Sequence, residues 1–205
     1  MSKGGFMKDA FVLCGITLVA GALLGGVYEM TKAPIDAANL AAKEAAYRTV
    51  FPDAASFDAG DLADKIPAAN EEIAGLGYGK VMVDEAVAAS DASGAAAGYV
   101  VTATSNDGFG GAITVSVGIQ SDGTVNGIEF LTLAETAGLG MRANTDAFKD
   151  QFKDKNVDKF EYTKTGATAD DQIDALSGAT ITTNAMTNGV NAGLCAFQYE
   201  KGGNQ

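Results

Sequence analysis

Ala10 to Tyr28 contains no charged residue, and this run restricts what the chain can fold into more than any other feature. Backbone polar groups cannot stay unpaired in hydrocarbon, so an apolar run of this length is accommodated as a helix. At ~1.5 Å per residue, roughly nineteen helical residues reach about 28 Å, close to the ~30 Å hydrocarbon core of a bilayer. Lys3 and Lys8 precede the run, and Glu29 follows it. Basic flanks stay cytoplasmic, which predicts a transmembrane helix over 10–28, a cytoplasmic N-terminus over 1–9, and the bulk of the chain outside. Tyr28 suits the membrane interface. A cleaved signal peptide would carry a shorter apolar core. Ala20-Gly21-Ala22 has the small residues of a cleavage site, but the apolar run continues past it.

Composition narrows the chemistry. The formal net charge of −12 excludes nucleic acid as a partner, because the electrostatic term would be repulsive. With no histidine, the commonest general base and metal ligand is missing. The two cysteines, Cys14 and Cys195, form no metal-spaced group, and Cys14 lies inside the apolar run, which disfavours a bridge between them.

Beyond the anchor, Pro34 sits where the first turn of a helix tolerates it. Ile35, Leu40, Tyr47 and Phe51 recur at roughly helical spacing, and Pro52 closes the run. This predicts a linker helix. Asp53 to Gly79 is acidic and weakly patterned and reads as a loop with at most one short helix, so 29–79 is taken as linker. From Lys80 the pattern turns to strands, around Val81–Val83 and Gly98–Thr104. In Ile113–Gln120, apolar Ile113, Val115, Val117 and Ile119 alternate with smaller or polar residues, as in a half-buried strand. Asp122-Gly123 supplies a hairpin turn, and Ile128 and Phe130 lie on the return strand. Asn144 or Thr145 caps a short helix through Phe148 and Phe152, and Phe160 and Tyr162 mark a further strand. Met186, Val190, Leu194 and Phe197 follow helical spacing, with Thr182 or Thr183 as the cap. The outer domain, 80–205, is therefore expected to be α+β, an antiparallel sheet with flanking helices.

Before that last helix stands Asp174-Ala-Leu-Ser177-Gly178-Ala179-Thr180. Gly178 and Ala179 let backbone come close to a bulky ligand. A helix N-terminus offers unpaired N–H groups and a partial positive charge, both suited to a phosphate. Thr165-Gly166-Ala167-Thr168 repeats the tetrapeptide core, but Tyr162 stands where the first motif has Asp174. Two further segments are Gly108-Phe109-Gly110-Gly111 and Glu135-Thr136-Ala137-Gly138-Leu139-Gly140. Taken separately, each of these segments is ordinary turn chemistry.

Together and in this order, the segments resemble the FMN-binding domain family shared by the G subunit of the Rnf complex and the C subunit of the sodium-pumping NADH:quinone reductase. The compact length favours the G subunit. Ala137 replaces the proline of the family's Glu-Thr-Pro-Gly-Leu-Gly, and Phe109 replaces the tyrosine of its Gly-Tyr-Gly-Gly. The resemblance implies covalent FMN, its phosphate esterified to Thr180. Asp174, Ser177, Gly178 and Ala179 would form the surrounding recognition element. Glu135, Thr136, Gly138, Leu139 and Phe109 would stand about the flavin, with no metal and no catalytic residue. A threonine hydroxyl with no histidine to activate it needs a separate flavin transferase. The implied function is electron transfer within an ion-translocating ferredoxin:NAD oxidoreductase, with other membrane subunits and lipid as partners and no activity alone. A stand-alone flavinylated surface carrier shares the motif. A membrane-anchored sensor or binding domain and a structural surface protein are the readings from other classes.

Overall fold

The computed structural model describes residues 3–200. It contains two compact units, 1–42 and 43–205. Helix α1, Lys3–Val50, runs without a break through the apolar segment and past Pro34. The expected restart at Pro34 is thus corrected to one continuous helix. Proline removes a single i→i−4 bond, and the alanine-rich stretch that follows is strongly helix-forming, so the helix propagates. The side chains of 7–42 are exposed throughout, and the helix is long and apolar enough to cross a membrane.

The second unit is built on a five-stranded antiparallel meander. Its strands are β1 (Ser56–Asp58), β2 (Val81–Ser90), β3 (Ala96–Ser105), β4 (Ile113–Gln120) and β5 (Val125–Leu133), paired in sequence order. The Asp122-Gly123 turn closes the β4–β5 hairpin, with Gly123 at φ +96° and Thr124 N donating to Asp122 Oδ1 at 2.8 Å. On one face of β4, Ile113, Val115, Val117 and Ile119 are fully buried, as the alternation predicts. The middle of the other face is buried as well, contrary to the half-buried expectation. Ser116 is 0% exposed and hydrogen-bonds Thr102, and a Cβ at Gly118 would meet Val50 at 2.8 Å. Tyr47 and Val50 at the end of α1, with Phe51 just beyond it, cover that face.

Helices α2 (Asp61–Gly75) and α4 (Thr180–Glu200) pack on the sheet and on each other. Between α2 and α4 in sequence lies one further short helix, α3 (Asp146–Lys149), flanked by 3-10 turns over 140–144 and 150–152. Helix α2 is the helix allowed for in 53–79, longer than expected at 15 residues, and the same stretch also holds β1. Leu62, Ala69 and Ile73 are buried in the main core, and Asn70 pairs with both backbone groups of Val83, at 2.9 and 2.8 Å. Thr145 occupies the cap position of α3, but its hydroxyl turns back to the Arg142 carbonyl and does not cap the helix. Met186, Val190, Leu194 and Phe197 of α4 are all buried, as their spacing predicts. Burial also pushes the Cys195 thiol up to about 11, which keeps it an uncharged packing group.

A second small sheet pairs β6 (Glu161–Thr163) with β7 (Gln172–Asp174) in parallel, not antiparallel. Asn191 on α4 ties it down. Its Oδ1 accepts from Phe160 N at 2.7 Å, and its Nδ2 donates to Phe160 O at 2.9 Å. Asn191→Leu would leave both groups buried without partners. At about 1–3 kcal/mol for each, the variant should lose about 2–6 kcal/mol of stability, read by denaturant unfolding.

Candidate functional site

Strand register brings the expected segments to one end of the sheet. Ser105 pairs with Ile113, and Ile113 pairs with Leu133, so the end of β3, the start of β4 and the end of β5 lie in line. The Gly108–Gly111 loop and the segment from Glu135 therefore leave the sheet side by side. The first turn of α4 meets them there, where Thr182 Oγ1 donates to Glu135 Oε2 at 3.0 Å.

A cavity of about 350 Å³ opens between these three segments. Phe109, Glu135, Thr136, Leu139, Gly178, Ala179 and Thr180, all singled out in the sequence, line it. Gly140, Ile181 and Thr182 complete the wall. Ile181 carries no sequence signal, and Thr182 carries only that of a cap, because a cap at Thr182 or Thr183 starts the helix at residue 183 or 184. The helix begins at Thr180, three or four residues earlier. Thr183 does bind the preceding turn, donating to Ala179 O at 3.0 Å and accepting from Leu176 N at 3.1 Å. Thr180 thus heads the helix and is half-buried at the cavity wall, where the first N–H groups have no intrahelical acceptor.

Asp174, Ser177 and Gly138 do not line the cavity. Gly138, at φ +76°, is the left-handed corner of the turn that closes with Leu139 N donating to Thr136 O at 3.1 Å. Ala137 in place of proline leaves that turn formed. Ser177 is exposed. Asp174, at the end of β7, accepts from Ala167 N at 2.5 Å, so its carboxylate holds the second tetrapeptide against the strand that leads to the first. Thr168 lies in that loop, away from any helix start, with its N–H and hydroxyl both donating to Gln172 Oε1.

Among the described residues, Glu135 is the one charged group in the wall. Phe109, Leu139 and Ile181 are exposed apolar side chains at its rim. A half-buried hydroxyl at a helix start, glycines on two sides and an apolar rim suit a ligand with a phosphate at one end and a flat aromatic system at the other. The volume falls within the ~300–1,000 Å³ of small-molecule sites.

The fold and the site define a domain with a long apolar N-terminal helix and a cofactor-sized cavity at the head of its last helix. Residues 108–194 match the family model of the FMN-binding domain. The chain is 31% identical over 193 residues to the G subunit of the Na⁺-translocating ferredoxin:NAD⁺ oxidoreductase complex of Acetobacterium woodii, covering 93% of this chain and 91% of that protein. It is 31% identical over 188 residues to the G subunit of an ion-translocating oxidoreductase complex of Methanosarcina acetivorans, covering 91% and 92%. The crystal structure of Shewanella oneidensis NqrC aligns over 55% of this chain and 57% of that one, with 22% identity and a TM-score of 0.46. The chain belongs to the family of G subunits of ion-translocating oxidoreductase complexes, the Rnf family.

Proposed function

We propose that this chain carries FMN as a phosphoester on Thr180 and relays electrons within an ion-translocating ferredoxin:NAD oxidoreductase complex. The observation that carries the reading is the position of Thr180, first residue of α4 and part of the wall of a cavity shared with the Gly108–Gly111 and Glu135–Gly140 segments. FMN supplies the electron-accepting and electron-donating chemistry when bound. The protein's task is to hold and orient it. The unpaired N–H groups of the first turn and the helix dipole face the phosphate, which matters because no lysine or arginine lines the cavity among the described residues. Phe109, Leu139 and Ile181 offer an apolar flank for the ring system.

Among the described residues the wall holds no histidine, and both oxygens of its one carboxylate, Glu135, already accept from Thr182 and Gly110, so a separate flavin transferase installs the group. Chain produced with such a transferase should keep flavin fluorescence through denaturing electrophoresis. Chain produced without it should not. Flavin that washes out on denaturation would favour the binding-domain reading.

The anchor implies that the domain lies outside the cytoplasm, with membrane lipid around residues 10–28 of α1. A reporter fused after Gln205 should then be active only on the outer side. A cytoplasmic signal from that fusion would contradict the orientation.

A further inference from the structure

We propose that the carboxylate of Glu135 is the charge that holds the redox potential of this site down, an inference that rests on the FMN reading above. Glu135 joins all three walls of the cavity. Its Oε2 accepts from Thr182 Oγ1 at 3.0 Å, on the first turn of α4. Its Oε1 accepts from Gly110 N at 3.2 Å, in the loop between β3 and β4. Both contacts are acceptances, the pattern an ionised carboxylate makes. Gly140 fixes the arrangement from a third side. A Cβ there would stand 2.7 Å from both Glu135 Oε2 and Thr182 Oγ1, so only glycine leaves room for this bond. A long side chain that would otherwise sample many rotamers is held in one place on the wall.

Among the described residues, the charge has no cationic counterpart in that wall. An electron arriving in the cavity adds one unit of negative charge until a proton follows it. A fixed carboxylate in a partly desolvated wall opposes that charge more strongly than the same group in water. The site therefore accepts electrons less readily than an equivalent cavity with a neutral side chain. Glu135 acts as a positioning residue and a fixed charge, and takes no bond-making part.

The test is a spectroelectrochemical titration of the full chain, produced with a flavin transferase and purified in detergent. Wild type, Glu135→Gln and Thr182→Val are compared. Glutamine keeps the side-chain length and one acceptor but removes the charge, and its midpoint potential should move to more positive values. Thr182→Val drops one hydrogen bond and keeps the charge, so its potential should move less. An unchanged or lower potential in Glu135→Gln overturns the proposal. An equal shift in Thr182→Val overturns it too, by assigning the effect to geometry. Where Glu135→Gln carries too little flavin to titrate, Thr136→Lys sets a positive charge beside Glu135, on an exposed residue of the wall, to offset the carboxylate. Its potential should rise, and a failure to rise overturns the proposal. Wild-type chain without flavin by mass would sink the FMN reading and this inference with it. Flavin-bearing wild type, with variants whose potentials match its own, sinks only the inference.

Discussion

Thr180→Val should abolish covalent FMN attachment and, with it, ferredoxin-dependent NAD reduction by membranes that contain the assembled complex. Valine has nearly the volume of threonine but no hydroxyl to esterify. Thr180 is half-buried, so the cost to folding should stay at about 1 kcal/mol or below. The anchor helix, the sheet and α4 all remain, so assembly with the other subunits should survive, checked by co-purification. Activity should fall to background because one relay centre is missing. Ion transport coupled to that reaction should stop for the same reason. An assembled, flavin-free complex with near-normal activity would show that this site lies off the main electron path.

A large loss of stability is expected from Phe152→Ala. Phe152 is 0% exposed and packs edge-on against Phe160, with ring centroids 5.0 Å apart, and against Phe148 at 6.0 Å. Deleting a buried phenyl group typically costs about 3–5 kcal/mol, through lost burial and the cavity left behind. For a domain of this size, each kcal/mol lowers Tm by about 2–4 °C, so the midpoint should drop by roughly 6–20 °C. Thermal unfolding of the detergent-solubilised chain measures it. A drop of only a degree or two would mean that this aromatic cluster contributes little to the domain. The same cluster joins the 3-10 turns after β5 to the small parallel sheet, so its loss should also loosen the segment that carries Asp174.

Much of this architecture is legible residue by residue. The alternation in Ile113–Gln120, the Asp122-Gly123 turn and the spacing of Met186, Val190, Leu194 and Phe197 each report a local periodicity that the tertiary structure keeps. Helix α2 has a periodicity of its own that is easily missed. Leu62, Ile66, Ala69 and Ile73 follow helical spacing, but Pro67 and the surrounding acids disguise it. The continuity of α1 through Pro34 is not legible, because local sequence does not decide whether a proline ends a helix or sits within one. Burial of the second face of β4 depends on where the end of α1 packs, which is a non-local fact.

The site divides along the same line. Motif residues that touch the cavity stand out because small, apolar and hydroxyl residues recur there in a fixed order. Thr182 and Gly140 matter through their contacts with Glu135, and spacing alone cannot reveal a contact between residues so far apart in sequence as Glu135 and Thr182. Asp174 illustrates the reverse. It distinguishes the two tetrapeptides in sequence, yet it stands outside the cavity and bonds to the loop of the second one.

The most direct test of the account is to locate the flavin by peptide mass mapping of chain produced with a flavin transferase. Trypsin leaves Thr168 and Thr180 on one peptide, because no lysine or arginine lies between Lys164 and Lys201. Cleavage at the aspartates from Asp170 to Asp174 separates them. FMN joined through its phosphate is expected on the fragment that contains Thr180, and absent from the fragment that contains Thr168. Flavin on Thr168, or none on either fragment, would contradict the account.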